Sequence, residues 1–407
     1  MTRVKFTEKT PEMIEAINRY SSRNYARLPV VLSTGRNATF VDVEGNRFID
    51  MMSCYSAENI GHVNPEVTRA AVKQMYRLAN CSQKFYTDIE FEYKRLLCSL
   101  CDMEVMMPAN SGVEAWEGAA KIVRRWGYEE KGVEEAEIII CEDNFHGRTI
   151  AAISASTNKK YQKNFGPLLS GFVSIPFGDS GALEKAINLN TAGFIIEPIQ
   201  GEAGIIVPPF GFLSDVRRIC TDHNVLFIAD EIQTGWGRTG KIFACDHEYI
   251  RPDMYILGKA LGGGILPVSA VVTSREIMDV MDPGSHGSTF AGSPLSCAVA
   301  LAGLEFMLKE KLPERAKALG GYFFKKLLQI DSPYVKEIRG KGLFIGVEFK
   351  EKAKRFVEAL FWSGVLTTET QDNVIRFAPP LTIIQEEIDE ALVGIDYVLS
   401  GKHFHHN

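Results

Sequence analysis

Three short apolar stretches of the chain end in charge. "GFIIEP" (193–198) closes on Glu197, "VLFIAD" (225–230) on Asp230 with Glu231 directly after it, and "MYILGK" (254–259) on Lys259. Ionised groups beside buried apolar residues carry a heavy desolvation penalty unless they are paired, neutralised or used covalently. One such residue would pass as a cap or a turn; three in succession point to a shared site. A lysine in apolar surroundings has a depressed pKa, which makes its amine a usable nucleophile. A further part lies upstream in "PANSGVEAWEGAAKIVRRW" (108–126), where Asn110, Ser111 and Gly112 lead into helical periodicity and would aim backbone N–H groups at an anion. Asn-Ser-Gly before a helix is also an ordinary N-cap, and it gains weight from the charged strand ends. A lysine that forms an imine, a carboxylate that keeps a pyridine nitrogen protonated and an N–H cradle for a phosphate are what pyridoxal phosphate (PLP) requires.

The elements that would position these residues follow from the hydrophobic pattern. From about residue 136, short β-branched runs alternate with helical stretches: "EIIIC" (137–141), "GFVSI" (171–175), the three runs above and "VSAVV" (268–272). That rhythm predicts an α/β architecture with a mostly parallel central sheet covered on both faces. "SGALEKAIN" (180–188) and "GFLSDVRRICTDHN" (211–224) are spaced as crossover helices. Ligands of such sheets gather at the carboxyl ends of the strands, where Glu197, Asp230 and Lys259 fall. After about residue 293 long helical stretches, then "GKGLFIGVEF" (340–349), "KRFVEALFWSGV" (354–365) and "VIRFAPPL" (374–381), predict a smaller α+β unit, with "TFVDVEGNRFIDM" (39–51) a hairpin packed beside it. The expected division is a large PLP-binding domain over 56–295 and a small domain built from 1–55 and 296–407. The glycines of "KALGGG" (259–264) are expected to let backbone approach the cofactor.

Composition sets the surroundings. At 407 residues, 45% hydrophobic and 24% charged, the chain can bury large cores, and 45 basic against 51 acidic residues give no electrostatic reason to expect nucleic acid as a partner. The eight cysteines are scattered and suit a reducing compartment. Cys98 and Cys101 form a lone CxxC without the further ligands a zinc site needs, so they are expected as helix-face thiols and no metal is expected. The N-terminus lacks the apolar core of a signal peptide, and no segment approaches the roughly 18 apolar residues of a membrane span. A cytoplasmic protein without a membrane partner is the expectation. The terminal "HFHHN" would at most chelate a metal weakly.

Taken together, "IADEIQTGWGRTGKIFA" (228–244), "RPDMYILGKALGGGILPVSAVV" (251–272), "NFHGRT" (144–149) and "HGSTFAGSPLSC" (286–297) resemble the class III PLP-dependent aminotransferases of fold type I, from roughly residue 20 to 395. Within that class, "EPIQGEAGIIVP" (197–208), "EIQTG" (231–235), "GSHGST" (284–289) and "VIRFAPPL" are most similar to the ornithine δ-aminotransferases. The resemblance implies Lys259 as the Schiff-base lysine and Asp230 as partner of the pyridine nitrogen, these two being the catalytic pair. It implies Gln233 at the ring hydroxyl, Phe145 stacked on the ring, and Ser111, Gly112 and Val113 around the phosphate. Ser288 and Thr289 match residues that reach the phosphate of the other subunit, implying a homodimer with shared active sites. His146, beside Phe145, is expected to pack or make a structural hydrogen bond.

The same resemblance implies the substrates L-ornithine and 2-oxoglutarate. Arg148 matches an arginine that clamps the α-carboxylate through two parallel charge-assisted bonds, Tyr25 a tyrosine that meets the α-amino group, and Tyr55 a residue that shapes the pocket. Arg376 matches the arginine for the oxo acid, and Glu202 a glutamate that masks it while ornithine is bound, a two-state pair. Taken alone, each arginine would read as a structural ion-pair residue and each tyrosine as partly buried packing. The implied reaction is ping-pong transfer of the δ-amino group to 2-oxoglutarate, giving glutamate and a semialdehyde that cyclises to pyrroline-5-carboxylate, in arginine breakdown or proline synthesis. The alternatives are a class III enzyme for acetylornithine, 4-aminobutyrate or lysine, or a racemase or aminomutase on the same scaffold. "NYARLPV" (24–30), "GWGRTG" (235–240) and "TTETQDNVIRF" (367–377) depart from the ornithine enzymes' pattern at the pocket rim.

Overall fold

The computed structural model describes residues 4–402, so the "HFHHN" tail lies outside the described residues. At its centre is a seven-stranded sheet in the order Val105–Ala109, Ser269–Thr273, Met254–Leu257, Leu226–Asp230, Thr191–Ile196, Glu137–Cys141 and Phe172–Ile175. The five strands from Met254–Leu257 to Phe172–Ile175 pair in parallel. Thr191–Ile196 and Leu226–Asp230 are buried at every residue, as covering on both faces requires. Ser269–Thr273 runs antiparallel to both of its neighbours. A parallel return needs a crossover of a dozen or more residues, usually helical, and residues 258–268 hold only the 3-10 turn Lys259–Gly262. Val105–Ala109 closes this edge, where Pro108 costs no ladder bond on its outer side.

The helix Gly112–Trp126 crosses the sheet with Ala115, Trp116, Ala119, Ile122 and Val123 buried on one face. Burying a side chain of the Ile122 class stabilises by about 1.5–3 kcal/mol relative to leaving it exposed, so this stripe fixes how the helix lies and where its N-terminus points. Ser180–Ala186 and Phe212–Asp222 are the expected crossovers. Cys101 is buried on the helix Asp88–Cys101, Cys98 is half-buried beside it, and every cysteine is free.

Two four-stranded sheets flank this body. Thr39–Asp42 and Arg47–Asp50 form the expected hairpin, with Leu32–Arg36 on one side. On the other side Val365–Leu366 pairs in parallel with Ile49 and Asp50. Val335–Lys341, Phe344–Phe349, Val374–Phe377 and Thr368–Thr370 form an antiparallel sheet. We propose residues 1–55 and 296–407 as one unit against 56–295, a division supported by the Val365–Ile49 pairing across the sequence. The apolar core nevertheless runs without interruption from Ala38 and Ile49 through Leu257 to Phe377 and Ile395. Among the described residues no helix is long and apolar enough to cross a membrane.

Candidate active site

Three adjacent parallel strands deliver Glu197, Asp230 and Lys259 to one edge of the sheet. There they border a cavity of about 190 Å3 together with Gly112, Val113, Phe145, His146, Gly147, Ile232, Gln233 and Thr234. Lys259 follows Leu257 by two residues and adopts φ 48°, in the left-handed region that L side chains avoid. Burial pushes its amine pKa down to about 8, with Glu202, Asp230 and Glu197 opposing and Arg376 adding to the fall. The glycines after it do not face the cavity. A Cβ on Gly263 would meet Val67 Cγ1 at 2.8 Å and one on Gly264 would meet Glu58 Oε2 at 2.2 Å. Those positions are glycine because the segments around Glu58 and Val67 pack against them, which corrects the expected backbone approach to the cofactor.

Asp230 ends its strand and accepts from His146 Nδ1 at 2.6 Å through Oδ2 and from Ile232 N at 3.2 Å through Oδ1. His146 is buried and stacked on Trp116 at 5.6 Å, so it both packs and makes the expected structural bond. Glu197 accepts from Phe145 N at 2.8 Å and Gly201 N at 3.2 Å; burial raises its pKa to about 7. Glu197 lines the cavity as its strand-end position implies, and Ile232 and Thr234 line it without having been placed in the site from sequence. Ile232 follows the strand end at Asp230 in a turn, where its backbone N–H donates to Asp230 Oδ1, and no periodicity marks it.

Ser111 caps the helix Gly112–Trp126, its Oγ accepting from Glu114 N at 3.4 Å and its carbonyl taking the Ser269 hydroxyl at 2.7 Å. The N–H groups of the first helical turn have no intrahelical partner and open on the cavity at Gly112 and Val113. A Cβ on Gly112 would meet Ile232 Cδ1 at 2.9 Å, and one on Gly147 (φ 135°) would meet Val113 Cγ2 at 2.3 Å. A lysine of lowered pKa, a strand-end carboxylate and a glycine-dependent N–H cradle around one cavity fit PLP. Ser288 lies outside this cavity and accepts from Asn110 Nδ2 of its own chain at 2.8 Å, with Thr289 exposed next to it.

Glu202, Gln233 and Arg376 form a second group. Arg376 is buried on the strand Val374–Phe377; its Nη1 donates to Glu202 Oε1 at 2.6 Å and to Gln233 Oε1 at 3.0 Å. Its Nε and Nη2 are buried without a hydrogen-bond partner among the described residues. Burial would raise the Glu202 pKa, but Arg376 and Lys259 hold it below its usual value. Gln233 is thus engaged with the ion pair as well as lining the cavity.

Tyr55 stands over Arg376, ring centroid 4.7 Å from the guanidinium carbon. It is carried on an unusual element: Ser53, Cys54, Tyr55 and Ser56 all have positive φ, from 43° to 72°. A left-handed turn of four non-glycine residues costs roughly 1–2 kcal/mol per residue and persists only where its surroundings over-determine it. Asp50 Oδ1 accepts from Met52 N and Ser53 N, both at 2.8 Å, and Ser53 Oγ donates to Ala378 O at 2.6 Å. The fully buried Arg238 donates to Ser53 Oγ at 3.0 Å, Pro379 O at 2.6 Å and Leu343 O at 2.9 Å, joining the turn to the strand that carries Arg376. Burial raises the Tyr55 phenol pKa; Arg376 opposes this, while Glu202 and the neighbouring Tyr25 add to it. Tyr25 itself is exposed. Arg148 is exposed, 5.2 Å from the ring of the cavity-lining Phe145.

A family model described as aminotransferase class-III matches residues 20–399. The curated ornithine aminotransferase of Geobacillus sp. (strain WCH70) is 52% identical over 395 residues, covering 97% of this chain and 99% of that protein. A structure of the Toxoplasma gondii ornithine aminotransferase, described with partial occupancy of PLP at its active site, superposes with a TM-score of 0.95 at 38% identity over 99% of each chain. The acetylornithine aminotransferase of Elizabethkingia anophelis gives a TM-score of 0.87 at 41% identity, over 96% of this chain and 98% of that one.

Proposed function

The chain belongs to the class-III aminotransferases, and from that premise we propose that it is a PLP-dependent ornithine aminotransferase, passing the δ-amino group of L-ornithine to 2-oxoglutarate. The observation that carries this reading is the contrast between two arginines. Arg376 is closed by Glu202 at 2.6 Å, whereas Arg148, beside the cavity-lining Phe145, forms no ion pair among the described residues. An ω-amino acid must place its distal amine at Lys259 and its α-carboxylate far away, and Arg148 is the cation free to receive that carboxylate. A 2-oxo acid presents carboxylate and carbonyl on adjacent carbons, so its 1-carboxylate needs a cation near the reacting carbon. Arg376 meets that need when Glu202 withdraws, and its unpartnered Nε and Nη2 offer two donors for it. The acetylornithine reading remains the rival, since it shares the scaffold and differs in blocking the α-amine.

When bound, PLP supplies an electron sink that stabilises a substrate carbon as it loses its proton. Asp230, oriented by His146, holds a proton at the pyridine nitrogen. Gly112 and Val113 would hold its phosphate through backbone N–H groups, and the cavity-lining Phe145 and Ile232 would flank its ring. The Lys259 amine would take the proton from the carbon bearing the transferred nitrogen and would deliver it to the cofactor carbon that keeps that nitrogen. In the second half-reaction the same groups act on 2-oxoglutarate with Arg376 as anchor. Tyr25 and Tyr55 shape the donor pocket. The working unit is a homodimer in which Ser288 and Thr289 of one protomer complete the phosphate site of its partner, and its compartment is the cytoplasm.

The test is spectroscopic. L-ornithine alone should bleach the visible band of the bound cofactor, and 2-oxoglutarate should restore it while pyrroline-5-carboxylate accumulates. Bleaching by N-acetylornithine or 4-aminobutyrate but not by ornithine would overturn the substrate assignment.

A further inference from the structure

Tyr161 lies at the rim with no part in the site as derived above. The Arg148 guanidinium carbon lies 3.8 Å from the centroid of its ring, closer than to Phe145 at 5.2 Å. The two rings meet edge to face at 5.9 Å and 83°, so the guanidinium rests in an aromatic corner. Both walls of that corner are fixed. Phe145 is held by its N–H on Glu197 at 2.8 Å. Tyr161 sits in the single turn Lys159–Gln162, capped by the Asn158 side chain at 3.0 Å and tied down by Gln162 Nε2 on Ile153 O at 3.1 Å. Burial raises the Tyr161 pKa, Arg148 opposes through its charge and through a side-chain hydrogen bond to the phenol at the ring's edge, and Glu202 and Glu197 add, which puts the phenol within the field of the cavity's carboxylates.

A guanidinium on an aromatic face is held by attraction to the ring while its in-plane N–H groups stay free. An arginine otherwise loses much rotamer freedom on taking a ligand; one already fixed in plane loses less, and the ligand binds more tightly for the same contacts. A carboxylate partner would fix the side chain as well but would consume the donors the substrate needs. We propose that Tyr161 is a positioning residue for substrate: its ring holds Arg148 in the plane in which the fork receives the α-carboxylate of the amino donor. The inference rests on Arg148 being that clamp, and Tyr161 acts only through it.

Single-turnover bleaching of the holoenzyme separates donor Kd from the limiting rate. The variants are Tyr161→Leu, Tyr161→Phe, Arg148→Met and Tyr161→Leu with Arg148→Met; the donors are L-ornithine and 1,4-diaminobutane, which is ornithine without its carboxylate. Tyr161→Leu should raise the ornithine Kd about tenfold, equivalent to about 1.4 kcal/mol, with the limiting rate changed less than about twofold. Tyr161→Phe should restore wild-type binding, 1,4-diaminobutane should be handled alike by wild type and Tyr161→Leu, and the double variant should be no weaker than Arg148→Met. If Arg148→Met weakens ornithine and Tyr161→Leu does not, the role of Tyr161 is overturned while the donor assignment stands. If Arg148→Met leaves ornithine binding unchanged, clamp and inference fall together. Equal losses with both donors would mark Tyr161 as structural packing and overturn the inference as well.

Discussion

Lys259 combines two local penalties, a left-handed backbone and a buried amine. Backbone strain at a residue with a reactive side chain is where fixed aim outweighs stability. The lowered pKa has a measurable result. With a value of about 8, roughly a tenth of apo-enzyme molecules carry the neutral amine at pH 7, against a few in ten thousand for an ordinary lysine. The rate of covalent PLP attachment should therefore climb about fivefold between pH 7 and 8 and level off above pH 9. A rate that keeps rising to pH 10 or beyond would show an unshifted amine. The strand-end charges that announced this site were legible because each follows an apolar run. The pair Glu202–Arg376 was legible only through resemblance to a family, since 174 residues separate its members and no local pattern links them. Tyr161 gave no signal, because a tyrosine in "NKKYQKNFG" reads as a surface residue until the fold sets Arg148 upon it.

The element that most resisted prediction is the left-handed turn Ser53–Ser56. "SCYS" contains neither glycine nor asparagine, the residues that ordinarily mark positive φ; the conformation is imposed by Asp50, Ala378 and Arg238, and two of these are distant in sequence. Ser53→Ala removes a donor to the Ala378 carbonyl and an acceptor from Arg238, both buried. It should lower stability by about 1–3 kcal/mol, seen as a reduced denaturation midpoint at unchanged m-value. A midpoint equal to wild type would mean that the Asp50 bonds hold the turn unaided. The parallel strands were legible because continuous β-branched runs at regular spacing admit few other arrangements. Val105–Ala109 was not, since Pro108 argues against a strand until the edge position is known. The reversed direction of Ser269–Thr273 was not read from its composition either; the shortness of the connection before it carries that information.

At the scale of the whole molecule, Tyr76, Phe85, Tyr86 and Phe91, with Phe290 next to Thr289, are exposed. The proposed homodimer would cover such surface and share its sites. Mixing two inactive variants tests this. Lys259→Ala in one chain and Ser288→Ala with Thr289→Ala in the other, unfolded and refolded together, should regain activity, because each mixed dimer contains one site with every group intact. Activity no greater than that of the parents would place Ser288 and Thr289 in service of their own chain, beside Asn110. The overall arrangement also sets an order of events. Val365–Leu366 completes the N-terminal sheet, and the carbonyls of Ala378 and Pro379 hold Ser53 and Arg238. On the ribosome, the segments bearing Asp230 and Lys259 emerge well before Val365–Leu366, Ala378 and Pro379. A nascent chain can assemble the lysine's half of the cavity early, whereas the pocket wall at Tyr55 and Arg376 can close only once residues 365–379 have emerged, so the anchor for the oxo acid is completed after the lysine's own surroundings.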